Sequence, residues 1–522
     1  MATEPAPEQR IRLAEVIMAL SLASDLGMGM SVEHTLRSTL LAVHLGDALG
    51  LDEATLRDTY YVTLLRYLGC TADVHLAAET FGDERRARAW LGMMDWGNPL
   101  QMFGTILGHH GADRPLAERG RMLATLFAHF PALLGTAESH CDAAAHLAGR
   151  LGFGEELRAS LWHLYERWDG KGYPGRVAGE AIGWPARLSQ IAHDADMFHR
   201  LGGVEAAVAM ARERRGGAYD PRVADRFAQE AHRLFAALDA ESIWDAVLAA
   251  EPGLRPDLSE TAFTTAAEAV ADFADLKLPF TVGHSRGVAA LAEEAARRCR
   301  LPEREVALVR HAGLLHDVGR TGVATGVWTK PGPLTAHERE RVRLHTYYTE
   351  RVLARPRTLA TVGAVAALHH ERLDGSGYHR GLPDALLPPT ARLLAAADVY
   401  RAMSEERPHR PAHQPEAIAA ELRRQVRAGQ LDGEAVDAVL AAAGHRIRRK
   451  RPDRPAGLSD REVEVLGLLA RGRSNREVAT ELGISKETAG HHIRHIYNKI
   501  GVSTRAAATL YAMQHGLVGD GD

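Results

Sequence analysis

Along most of the chain, apolar residues recur three and four positions apart among Ala, Leu, Arg and Glu, and alternating β-branched runs are few. The pattern predicts an all-α protein. Its C-terminal part, from residue 457 to 516, is the most sharply punctuated. Ser459 with Glu462 and Ser474 with Glu477 have the spacing of capping boxes, each marking a helix start. A third helix should begin after Gly483-Ile484-Ser485, with Ala489, Ile493, Ile496 and Ile500 as its buried face. Lys486, Gly490, His491, Arg494 and His495 then fall on the opposite side, and His492 beside the apolar stripe. Two short helices joined through a glycine turn, the second presenting a small cationic face, predict a helix-turn-helix that fits a major groove.

The rest of the chain repeats itself. "LYERWDGKGY" at 164–173 and "HHERLDGSGY" at 369–378 share Glu, Arg, the Asp-Gly pair and the Gly-Tyr ending, at an offset of 205 that continues to Ala186-Arg187-Leu188 and Ala391-Arg392-Leu393. A second offset, 250, carries His34 onto His284 and Leu64-Leu65-Arg66-Tyr67-Leu68-Gly69 onto Leu314-Leu315-His316-Asp317-Val318-Gly319. The difference leaves about 45 extra residues in the first copy, an insertion of the kind that loops or added helices absorb. The predicted order is a first helical repeat at 1–205, a helical connector at 206–258, a second repeat at 259–440, a basic linker at 441–456 and the helix-turn-helix unit at 457–522.

Composition changes this picture little. A length of 522 residues implies several domains, and 46% hydrophobic with 25% charged residues is a globular balance. No apolar run approaches membrane-spanning length and the first residues lack a signal-peptide order, so a cytoplasmic protein without membrane contact is expected. Cys70, Cys141 and Cys299 have no paired spacing, which argues against a disulfide framework or a thiolate zinc site. The net charge of -4 points to no nucleic-acid partner, but HRIRRKRPDRP at 445–455 holds six cations against one Asp and would add a salt-dependent attraction to phosphates.

Candidate chemistry concentrates in the second repeat, which contains His284, His316, Asp317, His345, His369, His370 and Asp398. Nitrogen and carboxylate donors without cysteine suit Fe, Mn or Zn, and seven are more than one ion needs. Adjacent His316 and Asp317 point about 100° apart on a helix, so the Asp can bridge two ions while the His terminates one. Such a pair of divalent ions clamps a phosphoryl displacement. The first repeat keeps His34 but has Arg66-Tyr67, Leu164-Tyr165 and His193 where the second has His316-Asp317, His369-His370 and Asp398. One repeat is expected to bind metal and the other to serve as scaffold or sensor.

"LLHDVG" at 314–319, "HHERLDGSGYHRGL" at 369–382 and "RLLAAADVYRAM" at 392–403 resemble the HD-GYP subgroup of the HD phosphohydrolases. The resemblance implies an all-helical fold, the seven residues above as metal ligands, and hydrolysis of cyclic dinucleotides, chiefly cyclic di-GMP. Asp317 and Arg320 would act on the phosphate, and the loop from Asp374 to Tyr378 would stand at the mouth of the site. The chain departs from the family in having His379 where Pro is usual, Arg320 for a Lys, and Phe280 where a Glu helps some members hold a third ion, so two ions fit it better than three.

The C-terminal segment resembles the DNA-binding domain of LuxR-type regulators through "LSDREVEVL", "SNREVA" and "KIGVSTRAAA". By that resemblance Gly490, His491 and Arg494 read bases in double-stranded DNA, and Lys486, Thr488, Lys499, Thr504 and Arg505 meet phosphates. A homodimer on paired half-sites is expected. The whole reads as a transcription regulator whose HD-GYP-like module hydrolyses or senses a cyclic nucleotide or dinucleotide. A purely nucleotide-sensing regulator and a di-iron oxidative enzyme are the alternatives.

Overall fold

A computed structural model of the chain describes residues 11–517 except 73, 113–114, 256, 357 and 448–454, with the side chains of 130–134 also left aside. It is all-α, and among the described residues only isolated β-bridges occur. Two compact units form, Met1–His445 and Arg446–Asp522. Most of the expected basic linker lies outside the described residues.

The first unit opens with α1 (Leu13–Met28), α2 (His34–Ala48), α3 (Glu53–Leu64), α4 (Val74–Phe81), α5 (Glu84–Leu91) and α6 (Pro99–His109). It continues through α7 (Leu116–Arg150), α8 (Glu155–Trp162), α9 (Trp184–Glu213), α10 (Pro221–Ala236) and α11 (Ile243–Ala249). Its second half holds α12 (Glu260–Asp275), α13 (His284–Arg298), α14 (Glu303–Leu315), α15 (Thr325–Trp328) and α16 (Ala336–Leu353). There follow α17 (Ala360–Ala366), α18 (Pro389–Ser404), α19 (Pro415–Arg427) and α20 (Gly433–Ala442).

The two halves repeat local hydrogen bonds, not only residues. Asp25 accepts from the Thr35 amide and hydroxyl, and Asp275 from those of Ser285. The Tyr173 amide donates to Tyr165 O and the Tyr378 amide to His370 O. Arg187 donates to Ile182 O and Asp220, and Arg392 to Leu387 O and Asp432. Helix packing follows suit: α2 lies against α9 and α10 as α13 lies against α18 and α20.

One expected boundary moves. Residue 205 falls within α9, just past its break at Gly202 and Gly203, and the helices expected as a connector pack back onto the first half. The cause is amphipathic: Val223, Ala224, Phe227, Ala231, Leu234 and Phe235 of α10 are all buried. At the two offsets α4 aligns with α15 and the later part of α7 with α16, so the extra residues of the first copy fall between, in α5, α6 and the start of α7.

The second unit contains α21 (Asp460–Ala470), α22 (Asn475–Glu481), α23 (Lys486–Ile500) and α24 (Arg505–Gln514). Both capping boxes form, and Ser485 caps α23 through the Thr488 amide. Ala489, Ile493 and Ile496 join Val465, Leu466, Leu469 and Val478 in a core of the unit's own. No helix among the described residues is long and apolar enough to cross a membrane.

Candidate metal centre and DNA-reading face

The seven donors come from five places in the sequence. His284 starts α13, His316 and Asp317 follow the last turn of α14, His345 lies in α16, His369 and His370 follow α17, and Asp398 lies in α18. The chain from α14 runs hard against α16: a Cβ at Gly319 would lie 2.1 Å from His345 O, so only glycine lets the two strands of ligands approach.

Asp317 divides the cluster. Its Oδ2 lies 2.9 Å from His316 Nε2 and 3.5 Å from His284 Nε2, while its Oδ1 lies 3.7 Å from His345 Nε2 and 3.6 Å from His369 Nε2. Asp398 completes the first group, 3.2 Å from His284, and its other oxygen is 3.7 Å from His370 Nδ1. Three of the rings are held from behind by backbone carbonyls. His316, His345 and His369 donate from Nδ1 to Gly313 O, Val342 O and Ala366 O, which turns each Nε2 lone pair inward. His284 is held from Nδ1 by Glu405 at 2.9 Å.

This arrangement lacks a partner at its centre. His284 Nε2, His316 Nε2, both oxygens of Asp317 and Asp398 Oδ1 are buried without a hydrogen bond. Such a set of orphaned donors is costly unless a cation satisfies it. Three groupings, His345/His369/His370, His284/His316/Asp398 and His316/Asp317/His369, bring their donor atoms within 4.8 Å of one another. Burial pushes His345 down to about 4, and burial with the neighbouring His316 pushes His369 to about 3, so both rings are neutral at neutral pH. Burial works against the charge of Asp317, but Arg320 and His316 outweigh it and hold the carboxyl well below the usual range.

Arg320 stands at the edge of the centre, its Nη2 forming an ion pair with Asp317 Oδ2 at 2.8 Å while its Nε and Nη1 are buried without a partner. Its guanidinium lies 5.4 Å from the Trp328 ring, itself 5.6 Å from His345. The Tyr378 ring packs 4.7 Å from His370, with the Arg343 guanidinium over it. Asp374 is not brought to this centre. It is exposed and accepts from the Ser376 amide and hydroxyl, so its carboxylate closes the turn.

Sequence reading passed over three supports. Glu371 holds the loop by accepting from the Arg380 and Leu382 amides, as Glu166 holds Arg176 in the first half. Glu405 lies seven residues, two helical turns, after Asp398, a spacing that would have flagged it. Arg407 in turn braces Glu405 at 2.9 Å. In the space of Pro, His379 bonds Thr346 Oγ1 at 3.1 Å and faces Glu350.

On α23, Lys486, Thr488, His491, Arg494 and His495 are exposed, and a Cβ at Gly490 would meet nothing within 4 Å. Gly490 is thus free of any packing role. His492 is half-buried. Three of the expected contacts are held inside the unit: Lys499 donates to Glu462 at 2.7 Å and to Gly457 O, His495 faces Glu462 at 2.9 Å, and Arg505 donates to Arg473 O. The Thr504 hydroxyl caps α24.

A family model described as "HD domain" matches residues 134–223 and 268–435, and one described as "Bacterial regulatory proteins, luxR family" matches 456–512. The 3'3'-cGAMP-specific phosphodiesterase 3 of Vibrio cholerae is 29% identical over 413 residues, 77% of this chain and 88% of that protein. A cyclic di-GMP phosphodiesterase of Pseudomonas aeruginosa is 40% identical over 132 residues, 25% of this chain and 32% of that protein. Among solved structures, a cyclic GMP-AMP specific phosphodiesterase of Vibrio cholerae aligns with a TM-score of 0.59 at 26% identity, covering 84% of this chain and 99% of that one.

Proposed function

From a chain that carries an HD domain and a luxR-family domain and is homologous to the cyclic-dinucleotide phosphodiesterases, we propose a metal-dependent phosphodiesterase of cyclic dinucleotides joined to a DNA-binding regulator. The observation that carries the catalytic half is the set of orphaned donors split by the two oxygens of Asp317. His284, His316 and Asp398 would hold one divalent ion, His345, His369 and His370 a second, with Asp317 shared between them. When bound, such a pair supplies Lewis acidity for displacement at phosphorus. Fe, Mn and Zn all suit the donors.

The chain's own residues do the rest. Arg320 offers two unpaired guanidinium nitrogens to the phosphate oxygens, and its fork suits two oxygens at once. Tyr378 and Arg343 flank the entrance where a base or ribose would rest. Backbone carbonyls fix the histidine rings, so the donors need no reorientation during turnover.

The first half is proposed to be a degenerate copy that binds no metal, since it keeps the loop bonds and helix packing but has Arg66, Tyr67, Leu164 and Tyr165 at ligand positions. In the second unit, Gly490, His491 and Arg494 would read base edges and Lys486 and Thr488 would meet phosphates, as a dimer on paired half-sites.

The test is metal content per chain, followed by hydrolysis of 3'3'-cGAMP and cyclic di-GMP on the same sample, for the wild type and a His316→Ala/Asp317→Ala variant. About two ions, chelator-sensitive product in the wild type, and loss of both in the variant are expected. A wild-type protein that purifies without metal and stays inactive when Mn, Fe or Zn is added would overturn the proposal.

A further inference from the structure

A cavity of about 300 Å³ lies in the first half and is lined by residues at the positions that align with the metal donors. Arg66 stands for His316, Tyr67 for Asp317, His140 for His345, Tyr165 for His370 and His193 for Asp398. Of these positions only His140 keeps the residue type of its counterpart; the others, with Leu164 for His369, form a different surface that includes two phenols and a guanidinium. The inserted helices α5 and α6 supply part of the wall through Leu91 and Ile106, with Met94 between them and Phe81 at the end of α4. In the second half the same stretch of chain is shorter by the insertion.

The cavity's charges balance in number, Arg66, Arg88, Arg167 and Arg214 against Glu84, Asp95, Glu166 and Asp194, but not in pairing. Arg66 has Nε and Nη1 buried without a partner, and among the described residues no carboxylate pairs with it; its guanidinium lies 5.9 Å from the Tyr165 ring. Arg88 meets only Cys70 O at 2.9 Å and the Met28 sulfur. The carboxylates nearby are already engaged: Asp194 by Arg214 and Tyr219, Asp95 by Arg167, and Glu84 by Lys277. Glu166 gives one oxygen to the Arg176 amide, and its other oxygen is buried without a partner, an acceptor for a ligand hydroxyl or amide. A buried guanidinium left with unsatisfied donors beside apolar walls is costly in an apo protein and is relieved by an anion.

We infer that this cavity binds a small ligand with one carboxylate or phosphate on an apolar or aromatic body, the anionic group against Arg66 and the body against the inserted helices. The site is separate from the metal centre and needs no metal. Its occupant is assigned as an effector that is not turned over there, because Arg66, Tyr67, Leu164 and Tyr165 replace four of the aligned donors; this rests on the function proposed for the second half.

The test is calorimetric titration of the full-length wild-type protein, stripped of metal, with decanoate, 1-naphthyl phosphate and decanol. One of the two anions should bind at one per chain, which identifies carboxylate or phosphate, and the uncharged alcohol should not. Arg66→Leu should weaken that anion about tenfold or more, the loss of a charge-assisted hydrogen bond, while Arg66→Lys retains part of it. Ala77→Trp, placed in the cavity wall, should abolish binding by filling the space. Thermal melts check the folding of each variant, and if Arg66→Leu does not fold the Lys and Trp variants carry the test. Binding by neither anion, equal binding of the alcohol, or affinity unchanged by both Arg66→Lys and Ala77→Trp would overturn the inference.

Discussion

At Arg320 one nitrogen is anchored on Asp317 and two face the site unpaired, a division that separates positioning from catalysis. Arg320→Ala should lower kcat about 100-fold, in the range for removing one preorganised donor, while metal content stays unchanged; Arg320→Lys should recover part of the loss. Asp374→Ala should change kcat less than about threefold, because its carboxylate only closes a turn on the surface. Asp25 makes a prediction about stability. Burial, opposed by His34 and Thr35, raises its carboxyl from an ordinary 3.8 to about 6. The native state therefore holds a proton that the unfolded chain releases between these values, and stability falls as pH rises from about 4 to about 6. Urea unfolding at both ends of that window should find up to about 3 kcal/mol of this slope absent in Asp25→Asn.

Among elements, legibility followed the range of the interaction. The capping boxes at Ser459 and Ser474 and the buried stripe of α23 were readable because each depends on residues within one or two turns. The seven candidate donors stood out because the first half carries Arg66, Tyr67, Leu164, Tyr165 and His193 at five of the aligned positions. What escaped was non-local. Asp374 is the local exception: it shares its loop with site residues, but a turn bond to Ser376, two residues on, holds its carboxylate at the surface. Lys499 and Arg505 carry no local mark of the partners that engage them. The packing of α10 onto α2 and α9 was hidden behind a run that looked like a connector. Two outcomes distinguish the roles on α23. Arg494→Ala should weaken specific DNA binding by about 1–3 kcal/mol without changing the melting temperature, measured by salt-dependent binding isotherms. Lys499→Ala should instead lower the melting temperature of the second unit, because its ammonium holds Glu462.

For the whole molecule, α5 joins the first-half cavity to the half with the candidate metal centre. Glu84 and Arg88 line the cavity, Glu84 accepts from the Thr325 amide and hydroxyl at 2.9 Å, and Arg85 donates to Gly322 O at 2.6 Å. The segment so grasped, Val318–Gly322 and Thr325, contains Arg320. An anion that binds the cavity should slow amide hydrogen exchange across 318–325, and Glu84→Gln should uncouple that slowing while leaving the anion bound.

Trp328 adds a practical consequence. The chain's other tryptophans all precede residue 250, so this indole, beside Arg320 and 5.6 Å from His345, is the sole tryptophan of the second half and can be excited selectively over the tyrosines at the red edge of indole absorption. The difference spectrum between wild type and Trp328→Phe is therefore an optical gauge of what fills the centre. Open-shell iron or manganese would darken it and closed-shell zinc would leave it bright, so the protein carries its own indicator of metal identity.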